Sequence, residues 1–257
     1  MKVRIESIGL SDVGRKRDHN EDAFVVDEGE RLFAVADGMG GHAAGEVASQ
    51  IAIKTVYDFI HSTRQDAEAT WPYDYDPTLS ANANRLRTAI RLANERICET
   101  IRQKEDLKDM GTTIVTLLIG SDGTATVGHV GDSRAYLVRA GTLAQITSDH
   151  SWVNEQVKLG FLNRADAMRH PFRNVVTRAL GSRGEVAVDL REETLRAGDR
   201  LLLCSDGLNS MVDDEGILGA LAEAGDDLLG QCRGLISAAN ARGGDDNITT
   251  ILVRAGE

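Results

Sequence analysis

Five aspartates stand where apolar runs begin or end. Asp22 precedes "AFVV", Asp37 closes "RLFAVAD", Asp132 follows "TVGHVG", Asp206 closes "RLLLCSD" and Asp246 precedes "NITTILV". An aspartate at a strand end is ordinarily a turn former, and three of these sit in Asp-Gly or Gly-Asp pairs that suit a turn. Taken together they allow more. Carboxylates brought to one sheet edge repel one another and cannot all stay ionised unless cations neutralise them. A set of oxygen donors without His or Cys suits hard divalent ions, Mg²⁺ or Mn²⁺.

Other chemistries compete for the same residues. Gly38-Met39-Gly40-Gly41-His42-Ala43 satisfies G-x-G-x-x-G/A after an apolar run and before a helix start, the setting of a dinucleotide site. That pattern wants a second strand with a terminal acid soon after the helix, and the nearest candidate, Asp58, lies inside the helical "VYDFI". Gly40 and Gly45 have the spacing of a phosphate-binding loop, but Glu46 stands where its lysine belongs. Asp74-Tyr75-Asp76-Pro77-Thr78 fits the D-x-D-x-T nucleophile signature of haloacid dehalogenase-like phosphatases, yet "TWPY" precedes it where a buried strand is needed. None of Cys98, Cys204 and Cys232 has an arginine six positions later, as a cysteine phosphatase requires.

Composition narrows the choice further. The 257 residues carry 40 acids against 29 Lys and Arg, a net charge of -11 with no basic block, which argues against nucleic acid and anionic membranes as partners. The start has no apolar signal region and no run of apolar residues could span a bilayer, so a soluble, cytoplasmic protein is expected. Three widely spaced cysteines among apolar neighbours read as buried thiols in a reducing compartment.

Positioning elements follow from periodicity. Val47, Ile51, Ile53, Val56 and Ile60 define one amphipathic helix, and Leu86, Ile90, Ala93, Ile97 and Ile101 another, with residues 61–84 read as a surface loop between them. "TTIVTLLIG", "TATVGHVG" and "RAYLVRAG" read as strands, with Ser121-Asp122-Gly123 and Ala140-Gly141 as hairpin turns. "WVNEQVKLG" and "RADAMRH" read as helical pieces, "DRLLLCSDG" as a buried strand, "DDLLGQCRGLISAANARGG" as a helix stopped by glycines and "NITTILVRAG" as a last strand. Strands in hairpins and helices in pairs predict antiparallel sheets covered by helices, which weakens the dinucleotide alternative.

The motifs "RDHNEDA", "VADGMGGH", "MGTT", "GDSRAYL", "TSDHS", "LLLCSDGL" and "GGDDNIT" occur in this order from residue 17 to residue 249. In them the chain resembles the bacterial metal-dependent serine/threonine protein phosphatases of type 2C. The resemblance implies a layered α/β fold, an αββα sandwich of two antiparallel β-sheets flanked by α-helices, with residues 1–257 as one catalytic domain. It implies a centre of two Mn²⁺ or Mg²⁺ ions: Asp37 bridging both, the Gly38 carbonyl on one, and Asp22, Asp206 and Asp246 completing the other. Glu21 stands beside Asp22 as an alternative ligand, and Asp132 with Asp206 would share a weaker third ion. By the same resemblance Arg17 grips the substrate phosphate, His42 protonates the departing oxygen, residues 151 to about 175 form a flap, and His170 in it touches the substrate.

The implied reaction is hydrolysis of phosphoserine and phosphothreonine in proteins by direct attack of a metal-bridging water. A phosphomonoester dianion repels hydroxide, so charge must be neutralised and the nucleophile prepared in place. The implied partners are phosphorylated proteins and a Ser/Thr kinase acting on the same proteins. A non-hydrolysing phosphoprotein-binding module would lack metal-ligand acids, and here Asp37, Asp206 and Asp246 are all present.

Overall fold

Each apolar run that borders one of the five aspartates folds as a strand. The computed structural model describes residues 3–40, 44–65, 71–182 and 184–256. Its elements are β1 (Arg4–Asp12), β2 (Asp22–Asp27), β3 (Leu32–Met39), α1 (Ala44–Gln65), α2 (Ala81–Gln103), β4 (Gly111–Thr112), β5 (Ile114–Ile119), β6 (Thr124–Val130), β7 (Arg134–Arg139) and β8 (Thr142–Gln145). There follow α3 (Trp152–Lys158), α4 (Arg164–Arg169), β9 (Asp189–Thr194), β10 (Arg200–Cys204), α5 (Asp206–Asn209), α6 (Asp214–Glu223), α7 (Leu228–Ala241) and β11 (Ile248–Gly256).

One sheet has the order β1-β11-β10-β7-β8 and the other β2-β3-β5-β6-β9, with β4 paired to β3. All the strand pairs are antiparallel. The dinucleotide alternative, which needs parallel strands, is thereby excluded.

The sheets pack face to face, and alternation along each strand divides its residues between two cores. In β3, Phe33 and Val35 enter the layer between the sheets, where they meet Leu117, Leu201, Leu203 and Ile251. Leu32 and Ala36 point the other way, against Ala48, Val56 and Ile60 of α1 and Leu86 and Ile90 of α2. In β10, Leu202 and Cys204 pack on Ile217 and Leu221 of α6 and Leu235 of α7. Both faces of these strands are buried, so the runs look uniformly apolar in sequence. Each fully buried Leu, Ile or Phe contributes roughly 1.5–3 kcal/mol.

Two expectations need adjustment and a third is met. The loop assigned to 61–84 is shorter, because α1 runs to Gln65 and α2 starts at Ala81. Thr63 is accommodated in α1 with its Oγ1 donating to the Phe59 carbonyl at 2.8 Å, and Ser80 caps α2 by accepting from the Ala83 N–H at 3.0 Å. Asp74 and Asp76 lie in the remaining loop, and Asp76 accepts bonds from the backbone and hydroxyl of Thr78. Among the described residues no strand leads into them, and the D-x-D-x-T match is a turn. Finally, all three cysteines are free, but only Cys204 and Cys232 are buried; Cys98 is partly exposed.

Candidate active site

The acids are assembled from both sheets. Asp22 begins β2 and is the direct cross-strand partner of Asp37 in β3. Like charges placed opposite each other destabilise a sheet, so this pairing marks a site that serves something other than stability. The backbone of Asp37 is pinned: its carbonyl accepts from the Thr112 hydroxyl at 2.8 Å and the Thr113 N–H at 2.9 Å, and its N–H donates to Thr113 Oγ1 at 3.2 Å. Thr113 Oγ1 in turn lies 2.7 Å from Ser133 Oγ, which ties Asp37 to the turn carrying Asp132.

The other sheet holds Asp22 from across the layer. Ser205 Oγ and Thr249 Oγ1 both donate to Asp22 Oδ2, at 2.7 and 2.6 Å. Ser205 follows β10 and stands at the N-cap position of the short α5, which starts at Asp206, with its hydroxyl turned to Asp22 instead of the helix. Thr249 lies in β11, just after Asp246. Neither Ser205 nor Thr249 was singled out from sequence, although each stands within three residues of a predicted acid.

Loop contacts bring Arg17 to the same place. Asn247 donates through Nδ2 to the carbonyls of Val13 and His19, both at 2.9 Å, and accepts from the Glu21 N–H at 2.8 Å. Arg15 N donates to Gly244 O at 2.7 Å. The loop from β1 to β2 is thus sewn to the loop before β11, and Arg17 Nη2 donates to Asp246 Oδ2 at 2.7 Å. Asn247 was another residue missed; an asparagine beside an aspartate in "GGDDNIT" reads as turn chemistry.

The cluster carries more negative charge than a buried site tolerates. Burial, then Asp22 and the other acids, pushes the Asp37 carboxyl well above the usual carboxylate range. Burial pushes Asp22 up to about 7 against the hydroxyls of Thr249 and Ser205 that oppose the rise. Burial with Asp206 and Asp149 takes Asp132 to about 8, and burial with Asp246 takes Asp206 to about 6.

Two features test whether cations fit. Asp22 Oδ1 and Asp206 Oδ1 are buried with no hydrogen-bond partner, and such oxygens cost free energy unless something positive meets them. At Gly38 an added Cβ would lie 2.1 Å from the Gly45 carbonyl oxygen and 2.6 Å from that of Glu21, so only glycine lets β3, α1 and the Glu21 backbone close on the acids. Hard divalent ions fit this all-oxygen set.

Arg134 and Asp149 brace the cluster from below. Arg134 Nε and Nη2 donate to the Asp149 carboxylate, the shorter bond at 2.7 Å, and Nη1 donates to Tyr136 Oη at 2.9 Å. His150 Nδ1 accepts from the Gly131 N–H at 3.0 Å, next to Asp132. The flap follows directly: Ser151 and Val176 form a β-bridge across its root, and Thr177 N donates to His150 O at 2.8 Å. His170 caps α4, accepts from Phe172 N at 3.1 Å and stacks on Trp152 at 4.8 Å between ring centres. The structure gives His170 contacts within the flap. His42 lies outside the described residues.

His129, His150 and Asp189 also gather three possible ligand atoms within 4.8 Å. Arg178 fills that place: its Nη1 donates to Asp189 Oδ1 at 2.6 Å and lies 2.9 Å from His150 Nε2. A fixed guanidinium there takes the role of the cation and anchors the flap end to β9.

Comparison with known proteins agrees with this architecture. The family described as Protein phosphatase 2C matches residues 13–240. The serine/threonine phosphatase stp of Listeria monocytogenes serovar 1/2a is 38% identical over 250 residues, covering 95% of this chain and 93% of its own length. The Mycobacterium tuberculosis serine/threonine phosphatase PstP/Ppp superposes with a TM-score of 0.84 at 38% identity, covering 99% of this chain and 100% of that one. The catalytic domain of PstP in complex with two manganese ions superposes at 0.80 with 37% identity, covering 99% of each chain. Two antiparallel sheets flanked by helices are the fold this chain shares with these phosphatases, and the chain belongs to the protein phosphatase 2C family. It is a serine/threonine protein phosphatase similar to the bacterial members.

Proposed function

We propose that residues 1–257 form a single catalytic domain that hydrolyses phosphoserine and phosphothreonine at a centre of two divalent ions, Mn²⁺ or Mg²⁺. The observation that carries this is the pair of buried, partnerless oxygens, Asp22 Oδ1 and Asp206 Oδ1, within a group of five aspartates. In this proposal Asp37 and the Gly38 carbonyl hold one ion, and Asp37 with Asp22, Asp206 and Asp246 holds the other, Glu21 being the alternative beside Asp22. Asp132 and Asp206 share a weaker third. The manganese in the PstP catalytic domain supports this choice of ion. When bound, the ions neutralise the phosphate and acidify the attacking water.

The chain's own groups do the rest. Arg17 is about half exposed at 48% and reaches the acids through Asp246, so its remaining donors face outward to receive phosphate oxygens in the fork geometry that guanidinium provides. His42 carries the proton to the leaving oxygen, a task an imidazole suits, and His170 meets the substrate from the flap. Ser205 and Thr249 favour the ionised form of Asp22 by donating to one of its oxygens and leave the other without a hydrogen-bond partner. A Ser/Thr kinase acting on the same proteins in the cytoplasm is the partner activity. No helix among the described residues is long and apolar enough to cross a membrane.

The test is phosphate release from a phosphothreonine peptide and from p-nitrophenyl phosphate with added Mn²⁺, for wild type, Asp37→Asn and Asp74→Asn. Expected is activity in wild type and Asp74→Asn, abolished by EDTA and by Asp37→Asn. A wild-type protein that binds Mn²⁺ and hydrolyses neither substrate would overturn the proposal.

A further inference from the structure

The turn that carries Asp132 is gripped twice by one residue. The backbone N–H of His150 donates to the Gly131 carbonyl at 3.0 Å, and the ring Nδ1 of His150 accepts from the Gly131 N–H at 3.0 Å. Gly131 has a φ of 107°, and an added Cβ there would lie 2.6 Å from the Thr113 side chain, so the turn suits glycine alone. A glycine peptide has more rotational freedom than any other, and the ring acceptor takes that freedom away one residue before the carboxylate. Asp132 itself is buried at 8% exposure and feels the charge of Asp206.

This geometry fixes where the ring carries its proton. Burial, then His129, pushes the His150 imidazole down to about 4, and a neutral imidazole has one N–H and one acceptor nitrogen. With Nδ1 accepting from Gly131, the proton sits on Nε2. Asp189 Oδ2, 3.2 Å from Nε2, accepts it, whereas Arg178 Nη1 at 2.9 Å brings only hydrogens. Burial works against the charge on Asp189, and Arg178 and His150 outweigh it, so the acceptor is a carboxylate. His129 stacks on the ring at 4.8 Å between centres and is the cross-strand partner of Asp189. A chain of oriented bonds thus runs from Asp189 on β9, through His150, to the peptide before Asp132.

We propose that His150 is a positioning residue for the phosphatase centre: its ring, held by Asp189 with the proton on Nε2, fixes the Gly131 peptide and so aims the Asp132 carboxylate at the acid cluster. This rests on the assignment of Asp132 to a third ion made above. Partners that orient a ligand in this way are worth about 10- to 100-fold in metal affinity.

Calorimetric titration with Mn²⁺ of wild type, Asp132→Asn, His150→Asn and His150→Gln tests it. Asparagine Oδ1 is as many bonds from Cβ as histidine Nδ1 and keeps the acceptor for Gly131. The glutamine amide nitrogen stands in the place of Nε2 and keeps only the bond to Asp189. Both variants lose the ring and its stack on His129, so a merely structural role penalises them alike, and thermal midpoints in EDTA report that loss separately. Expected is a weakest Mn²⁺ site about 10- to 100-fold weaker in His150→Gln and largely recovered in His150→Asn. Proton–nitrogen correlation spectra of the metal-free wild type should show the His150 proton on Nε2.

Equal weakening in the two His150 variants would overturn the proposal, as would a proton on Nδ1 in the metal-free protein. A titration that Asp132→Asn changes and His150→Gln leaves as in wild type would overturn the positioning role alone. A titration that Asp132→Asn leaves unchanged would instead overturn the third-ion assignment, and the role given to His150 falls with it while the two-ion centre stands.

Discussion

Arg17 Nη2 and Asp246 Oδ2 lie 2.7 Å apart, joined across 229 positions of sequence. Burial works against the charge on Arg17, and Asp246, Glu21 and Asp37 together outweigh it, so the guanidinium stays charged at the mouth of the acid cluster. It is a cation beside the acids, and in the proposed mechanism it meets the incoming phosphate. Replacing it removes a charged donor from the transition state, where such donors are worth about 10²–10³ in rate. Arg17→Ala is expected to lower kcat/KM for p-nitrophenyl phosphate by about 10², and Arg17→Lys to recover part of it, since a lysine keeps the charge and loses the fork. Steady-state kinetics at saturating Mn²⁺ decides this, and an unchanged kcat/KM in the alanine variant would refute the assignment.

Burial and neighbouring acids raise the folded-state pKa values of Asp206 to about 6 and Asp132 to about 8, from 3.8 for an exposed aspartate. The folded form then holds protons that the unfolded form releases, so stability is lost as pH rises from about 4 towards 8. In EDTA, the thermal midpoint of wild type is expected to be higher at pH 5 than at pH 8. Asp206→Asn should gain on the order of 2 kcal/mol at pH 8 without metal while losing activity. Thermal scans across this pH range check it; a midpoint that rises from pH 5 to pH 8 in EDTA would show the sign to be wrong.

The hydroxyls of Ser205 and Thr249 meet at Asp22 Oδ2. Removing both hydroxyls frees Asp22 to turn and deprives it of the bonds that favour its ionised form. Ser205→Ala/Thr249→Ala is expected to weaken Mn²⁺ binding by about 10- to 100-fold, as loss of ligand-orienting partners does elsewhere. Calorimetric titration with Mn²⁺ measures this without reference to turnover.

The Arg134–Asp149 pair is mostly buried, with side-chain exposures of 24% and 12%, and Arg134 also holds Tyr136. Breaking such a pair by removing one partner strands the other charge, at a cost of about 3–5 kcal/mol. Arg134→Met is expected to lose stability on this scale in urea unfolding. Arg139→Met is expected to cost a comparable amount, because its partner Asp199 is buried at 3% exposure and would lose the guanidinium that meets it.

Strand identity and the acids themselves were legible from the chain. "RLFAVAD" and "RLLLCSD" are long enough and apolar enough to be strands buried on both faces, and both are. The Ala140-Gly141 turn was equally plain: both residues have positive φ, at 49° and 78°, as a two-residue hairpin demands. The edges were less readable. β9, "DLREET", is charged because it closes a sheet edge, and β1, "RIESIGLSD", is only half buried, so neither carries a strong apolar signal.

Residue type and order along the chain therefore settled which groups can do chemistry, because a carboxylate, a guanidinium or a glycine has its properties wherever it stands. Which of them meet was decided by pairing between distant segments. β1 finds β11 across almost the whole chain, in a register that sets Asp12 opposite Ile248. That pairing puts Thr249 against Asp22 and Asn247 under the Arg17 loop. No local pattern encodes such contacts: they arise when two sheets close on a shared apolar layer, and the polar ends of their strands are carried together by it.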